Sequence, residues 1–189
     1  LQFENNISSY SDTLFIPHNM IAGLPDDYKE NHLQADGKYA IDLSYPSFYP
    51  FMEYAESDSL RKLLRYMFLN KGMPQNVSIL SEILANRKSL SELLNYPSFS
   101  ALIIEEGMAK STEAVWKFEK DLIEKIQQKA NWDTEQLLQL KYDTMEENGK
   151  TITDWQKHYY ENQLLLKKHR VDSEQVKQYF QVDNVIKGL

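Results

Sequence analysis

Apolar residues recur with the period of an α-helix along most of the chain after residue 57. One stripe is spaced at i, i+3, i+4, i+7 and i+8, a pattern that places all its members on one helix face. It consists of Leu60, Leu63, Leu64, Met67 and Phe68. We expect this helix to follow Ser57-Asp58 and to stop near Gly72 and Pro74, since both residue types interrupt helices.

Similar stripes predict further helices along the chain. Asn76 is expected to cap a helix that Tyr96-Pro97 ends, and a short helix follows through residues 99–103. The first of these is expected to bury Val77, Leu80, Ile83 and Leu84, and to continue through Leu90, Leu93 and Leu94. Near the end of the chain, Asp172 and Gln175 have the spacing of an N-terminal capping box, and Gly188 suits a helix stop.

The longest predicted helix begins at Ser111, a good capping residue. Its apolar stripe comprises Val115, Phe118, Leu122, Ile126 and Ala130, and extends through Leu137, Leu138 and Met145 to a stop at Gly149. A kink or split at residues 131–133 is an open alternative. Asp154 is then expected to cap another helix, which carries Trp155, Tyr159 and Tyr160.

The first third of the chain has a different pattern. Residues 39–43 are β-prone, and Pro46 and Pro50 predict extended or turn geometry after them. The sequence therefore predicts a mainly α fold, a multi-helical lobe with a short β-strand or hairpin near residues 39–50. An edge strand can bind an extended peptide, but it can equally be a structural edge covered by the protein itself.

Composition excludes several classes of function. A formal charge of −7 argues against nucleic acid as a partner, and no apolar run is long enough to span a membrane. The chain has no Cys, which excludes disulfides, thiol nucleophiles and thiolate metal sites, and fits a reducing compartment such as the cytoplasm. A mitochondrial location stays open, because a transit peptide would lie upstream.

Residues that could carry chemistry are few. None of the four histidines, His18, His32, His158 and His169, stands at i, i+4 from another, so the H-E-x-x-H zinc motif is absent. The pairs Glu105-Glu106 and Glu146-Glu147 are sequence neighbours, which point about 100° apart on a helix. They are therefore expected to be solvated, and the sequence predicts no catalytic residue and no metal ligand in this chain.

Five segments, in order, resemble the thimet oligopeptidase family of zinc metallopeptidases. They are "LQFENN" at residues 1–6, "AGLP" at 22–25, "IDLSYPSFYPFMEYAESDSLRKLLRYMF" at 41–68, "NVSILSEILANRKSLSELLNYPSFSALIIEEGMAKSTEAVWKF" at 76–118 and "WQKHYYENQLLLKKHRVDSEQVKQYFQVDNVIKGL" at 155–189. The chain departs from that family at two places. Asp58-Ser59 stands where the family usually has Asn-Arg, and Trp155-Gln156 stands where it often has Trp-Asp.

The resemblance implies a role within a larger metallopeptidase or hydrolase. In this family two helical lobes flank a narrow channel that admits short peptides, and zinc activates the water that attacks the peptide bond. The zinc-binding motif lies further toward the C-terminus, so residues 1–189 are expected to form a single helical fragment of one lobe, inactive alone and partnered by the missing catalytic part. Within it, residues 1–56 are expected to be mixed in structure and residues 57–189 helical.

Two tyrosines are candidates for lining such a channel. Tyr159 and Tyr160 carry hydroxyls that could hydrogen-bond a peptide backbone. The alternative is that Tyr159 is a core residue and Tyr160 lies at the edge of the core. A different class of function also stays open, that of a freestanding helical adaptor that binds a protein partner and has no enzymatic activity.

Overall fold

The computed structural model of the chain describes residues 1–144 and 151–188. Its helices are α1 (Gln2–Ser8), α2 (Asp26–His32), α3 (Tyr45–Tyr54), α4 (Asp58–Leu69), α5 (Gln75–Leu93), α6 (Phe99–Glu105), α7 (Thr112–Thr144), α8 (Asp154–Leu164), α9 (Ser173–Lys177) and α10 (Val182–Gly188). The strands are β1 (Thr13–Ile16) and β2 (Tyr39–Asp42). The predicted mainly α fold is confirmed. The predicted helix stop at Gly149, together with Met145 and Glu146-Glu147, lies outside the described residues.

The strand predicted from residue 39 is present, but its partner was not predicted. β2 pairs antiparallel with β1, in a register that places Leu14 opposite Ile41 and Phe15 opposite Ala40. An isolated bridge also joins Leu33 to Tyr39. β1 is only four residues long, too short for its alternating pattern to stand out in the sequence.

The prediction of extended or turn geometry at Pro46 and Pro50 is wrong, because both lie in α3. Pro46 occupies the first turn, where the backbone N–H has no partner within the helix, so proline is tolerated there. Pro50 lies inside the helix and removes one backbone donor. Burial of Phe48, Phe51 and Met52, which are fully inaccessible to solvent, outweighs that loss.

Two predicted helix caps are also wrong by one or two positions. α5 begins after Pro74, and Asn76 lies in its first turn, where its amide donates to the Phe3 carbonyl oxygen at 2.9 Å. α8 is preceded by Thr153 as its N-cap residue, while Asp154 is its first helical residue. The other two predicted caps are confirmed. The side chain of Ser111 accepts a hydrogen bond from the backbone N–H of Ala114, and the side chain of Asp172 accepts one from the backbone N–H of Glu174, as N-cap residues do. α7 is continuous through residues 131–133.

The chain divides into two compact units. Unit 1 consists of Leu1–Tyr10 and Asn70–Asp133, and unit 2 of Ser11–Leu69 and Thr134–Leu189. Unit 2 contains the main apolar core of the described residues. Its members are Leu14, Ile16, Ile21, Leu24, Tyr28, Tyr39, Ile41, Leu43, Phe48, Phe51, Met52, Ala55 and Leu64. The prediction of a single helical fragment over residues 1–189 stays a prediction.

Unit 1 differs from unit 2 in the burial of its apolar side chains. The structure describes every residue of this unit, and none of its large apolar side chains is buried. The sequence predicts that α5 buries Val77, Leu80, Ile83 and Leu84, and that prediction is wrong, because Ile83 is half-buried and the other three side chains are exposed. Other apolar side chains of this unit are exposed as well, namely Leu90, Leu93, Leu94, Phe118, Leu122 and Ile126. Apolar periodicity identifies the face of a helix that favours a partner, but it does not show that this chain supplies one.

Candidate functional site

The two tyrosines proposed from the sequence lie side by side on α8 in different surroundings. Tyr160 is 1% exposed and packs with Leu137 and Leu140 of α7. Tyr159 is half-buried, and the guanidinium carbon of Arg61 lies 4.1 Å from the centre of its ring. The two rings meet edge to face, with centroids 5.3 Å apart. Tyr160 is thus the more deeply buried of the pair, the reverse of the packing alternative considered from the sequence.

Burial raises the pKa of both tyrosine hydroxyls. For Tyr159 the nearby Arg61 charge opposes this effect, and for Tyr160 a hydrogen bond with Thr144 opposes it. Both hydroxyls are therefore held in the neutral, hydrogen-bonding form. A neutral phenol can donate to a peptide carbonyl, but neither group is poised to exchange a proton near neutral pH. Contact of either residue with a peptide stays a prediction.

Beside the tyrosines, the carboxylate of Asp58 joins α4 to α8. Its Oδ1 accepts from Arg61 Nη2 at 3.0 Å and from Gln156 Nε2 at 2.9 Å, and its Oδ2 accepts from Trp155 Nε1 at 3.0 Å. Because charge-assisted hydrogen bonds are stronger than neutral ones, this carboxylate fixes α8 against the start of α4. Asp58 and Gln156, where the sequence resemblance implies departures from its family, are therefore in direct contact.

Arg61 is the most deeply buried charge in this arrangement, with no exposed side-chain surface. It donates to Asp58 and to the carbonyl oxygen of Ala55. Burial lowers the pKa of Arg61, and the Asp58 carboxylate opposes that shift. A signal for this burial is present in the sequence, since Arg61 stands three residues before Leu64 and seven before Phe68, in line with the apolar stripe.

A second polar contact extends the network to the C-terminal part of α7. Lys141 donates to Gln156 Oε1 and to the carbonyl oxygen of Thr151, at 3.0 Å in each case. Gln156 Oε1 also accepts from the backbone N–H of Thr153, which supports the start of α8. Gln156 therefore connects the Asp58 carboxylate with the Lys141 ammonium. We interpret the whole network as a positioning device, because the hydrogen bonds described here are all made within the protein and join α4, α7 and α8.

Unit 2 also contains an open cavity of about 730 Å³ between α2 and α9. Tyr54 forms part of its wall, and acidic side chains from both helices line it. Lys177 crosses it, with Nζ 2.7 Å from Asp27 Oδ2 and 3.2 Å from Glu174 Oε2. The Lys177 ammonium therefore neutralises part of the negative charge of the acidic side chains that line the cavity.

Among the described residues, no group of three or more His, Asp or Glu side chains could hold a metal ion. Two of the four histidines use ring nitrogens in local hydrogen bonds. His32 Nδ1 lies 2.7 Å from the Tyr28 carbonyl oxygen and its Nε2 lies 3.0 Å from Ser47 Oγ, while His18 Nδ1 lies 3.0 Å from the Tyr39 hydroxyl. This donor set does not fit zinc.

No helix in the described part of the chain is long and apolar enough to cross a bilayer.

Comparison with known proteins gives a family match over most of the chain. Residues 51–189 match the model of peptidase family M3. The matched region begins within α3 and includes both helices that the Asp58 network joins, α4 and α8.

Individual relatives match the chain over its whole length. A thimet-like oligopeptidase from Dictyostelium discoideum is 27% identical, saccharolysin from Saccharomyces cerevisiae is 24% identical, and oligopeptidase A from Haemophilus influenzae is 26% identical. Each alignment covers 100% of this chain but only 28–30% of the relative. The chain thus spans less than a third of the length of these proteins.

Proposed function

Because the chain belongs to peptidase family M3, we propose that it is a helical portion of a zinc-dependent oligopeptidase and helps to wall the channel that admits short peptides. The observation that carries this proposal is the family match over residues 51–189. The names of the relatives, which include a thimet-like oligopeptidase and an oligopeptidase A, support peptides as the substrate class.

In this proposal the chain has a structural and selective role, and the catalytic apparatus lies elsewhere in the same protein. The proposal is supported by the poor fit of the described side chains to zinc and by the 28–30% share of the relatives that the chain spans. The chain's own contribution is to present a rigid helical surface of fixed shape. The Asp58 network supplies that rigidity at α4 and α8, because it fixes both helices through buried charged groups.

Tyr159 is the better of the two candidates for peptide contact. Its ring is half-buried, whereas Tyr160 is almost fully enclosed, so Tyr160 acts through packing in this proposal. A cytoplasmic location belongs to the same proposal, with a mitochondrial parent as the alternative.

The test is to express the complete open reading frame that contains these residues and, separately, residues 1–189. We expect the complete protein to hydrolyse short peptides, to lose that activity with a chelator and to regain it with added zinc. Residues 1–189 should hydrolyse none. Hydrolysis by the 189-residue chain that a chelator abolishes would contradict the proposal.

The tyrosines and the adaptor alternative need measurements of their own. In the complete enzyme, Tyr159→Phe should raise KM for peptides, while Tyr160→Phe should change stability and leave KM unchanged. The reading as a freestanding adaptor is decided by the native mass of the protein. A native protein of 22.2 kDa without zinc would support the adaptor, whereas a mass roughly three times larger supports the oligopeptidase.

A further inference from the structure

The part of α7 that belongs to unit 1 is an amphipathic helix without a buried residue. From Thr112 to Asp133, every side chain is exposed or half-buried. Trp116 is 64% exposed and Phe118 is 65% exposed, and Leu122, Ile123 and Ile126 are also exposed. Helical geometry places all five on one broad face, while Lys117, Lys120, Asp121 and Glu124 fall on the other.

Such a helix is unstable without a partner. Most helical stability in proteins comes from packing of an apolar face, since helix propensity alone is marginal. Two aromatic and three aliphatic side chains exposed on one face form an apolar patch of the kind that marks an interaction site. The charged face shows that this segment is not an all-apolar core helix, so the partner must cover one side only.

α5 presents the same situation independently. Val77, Leu80 and Leu84 are spaced at i, i+3 and i+7, and all three are exposed. In unit 1, which the structure describes completely, the buried side chains belong to Asn76 and Ser91 and not to large apolar residues. Unit 2 has a core of its own. Unit 1, described completely, therefore supplies no buried apolar core of its own.

We infer that the apolar faces of α5 and of residues 112–133 in α7 are the docking surface for apolar helical surface in the remaining part of the same peptidase chain. This inference rests on the proposed function. The length of the relatives supports this occupant, because 70–72% of each lies beyond the part that this chain covers. A segment of the same polypeptide is also always present in equal amount and at high effective concentration.

Thiol labelling of the complete protein tests this directly. The 189 residues contain no Cys, so a single introduced Cys is the only thiol in this region. Leu122→Cys places it on the apolar face, and Lys120→Cys places it two residues away on the opposite face as a matched control. Maleimide labelling is followed at each site by peptide mass spectrometry, which separates these sites from any thiol elsewhere in the protein.

We expect the Cys at position 122 to react at least about tenfold more slowly than the Cys at position 120 in the complete protein, because a packed side chain reacts only after local opening. In residues 1–189 alone the two should react alike. Equal rates at the two positions in the complete protein would overturn the inference. Protection that appears in the short chain and grows with its concentration would assign the face to a second copy, which also overturns it.

Hydrogen exchange of the unmodified proteins provides a readout that needs no substitution. Amides of residues 112–133 should exchange more slowly in the complete protein than in residues 1–189, and unchanged exchange would contradict the inference. Failure of the two proposals can be distinguished. Protection in a complete protein without peptidase activity would retain the docking surface and reject the oligopeptidase, and activity without protection would do the reverse.

Discussion

Asp58 and Gln156 stand where the sequence resemblance implies departures from the family, and their side chains form one hydrogen bond of 2.9 Å. A carboxylate at position 58 needs donors, and the Gln156 amide supplies one without adding a second negative charge. An Asp at position 156 would instead place two carboxylates together, a repulsive arrangement. The two residues are therefore chemically matched, since an amide faces a carboxylate; the resemblance implies a family pattern in which the two groups are exchanged.

This matching predicts the outcome of a double-mutant cycle. Asp58→Asn and Gln156→Asp should each lower the free energy of unfolding by about 1–3 kcal/mol, because each leaves buried polar groups poorly paired. The double variant should be more stable than the sum of the single losses predicts, by about 0.5–3 kcal/mol. Urea denaturation of the four proteins measures the coupling, with Ser59→Ala as a control at a neighbouring exposed site. Additive losses would contradict the matching.

Two glycines have similar backbone geometry but different surroundings, so substituting each by Ala distinguishes the cost of backbone strain from the cost of a steric clash. Gly23 has φ +85° and Gly37 has φ +79°. A Cβ at Gly23 would lie 2.2 Å from the Tyr54 carbonyl oxygen, whereas one at Gly37 meets nothing within 4 Å. Gly37→Ala should cost about 1–2 kcal/mol from backbone strain alone. Gly23→Ala should cost about 3 kcal/mol or more, since a backbone atom must move, and similar denaturation midpoints for the two variants would contradict this account.

At the scale of elements, sequence periodicity predicted the existence of helices far better than their ends and partners. The stripes at Leu60 and Phe118 were enough to place α4 and α7. The sequence does not predict α3, because Pro46 and Pro50 both disfavour a helix locally. Burial of the apolar side chains of α3 in the core stabilises the helix nonetheless, and this contribution is not visible in the local sequence. The Asp58 network was missed for a related reason. Its members are far apart in sequence, so only packing of α4 against α8 reveals that they meet.

The short helix α9 is held to α2 by an exposed ion pair, which makes a specific pH prediction. The hydrogen bond from Lys177 lowers the pKa of Asp27 below its ordinary value of 3.8, against the opposing effect of burial. The same contact raises the pKa of Lys177 above 10.5. Stability from this pair is therefore fully present between these two ordinary values. It decreases as pH falls through the pKa of folded Asp27 or rises through that of folded Lys177.

NMR titration of the Asp27 carboxyl group tests this tether. Lys177→Gln should return the pKa of Asp27 toward its ordinary value, and added salt should weaken the effect in the parent protein because both side chains are exposed. Lys29→Gln is the matched control, since Lys29 pairs with Asp26 at 2.9 Å. Equal shifts of the Asp27 pKa in the two lysine variants would argue against a specific contact with Lys177.

At the scale of the whole chain, unit 2 is formed from two sequence segments, Ser11–Leu69 and Thr134–Leu189, that flank the Asn70–Asp133 segment of unit 1. α8 packs against both α3 and α4, so the two segments share one interface. Polar contacts add to it, since Asn162 donates to the Glu53 carbonyl oxygen at 3.2 Å and Trp155 to Asp58. Stability of this unit should therefore not require an intact covalent connection through α5, α6 and α7.

Limited proteolysis of residues 1–189 examines that independence. Cleavage should begin in α5 or in residues 112–133 of α7, because their side chains are largely exposed and local opening there disturbs no apolar core. The nicked halves should stay together in native mass spectrometry, held by α8 against α3 and α4. The two halves of the nicked Asp58→Asn protein should separate at a lower urea concentration than those of the nicked parent protein. After cleavage, the halves are held together only by noncovalent contacts, and Asp58 supplies several of these at the interface. Immediate dissociation of the nicked parent protein would show that unit 2 depends on the chain of unit 1.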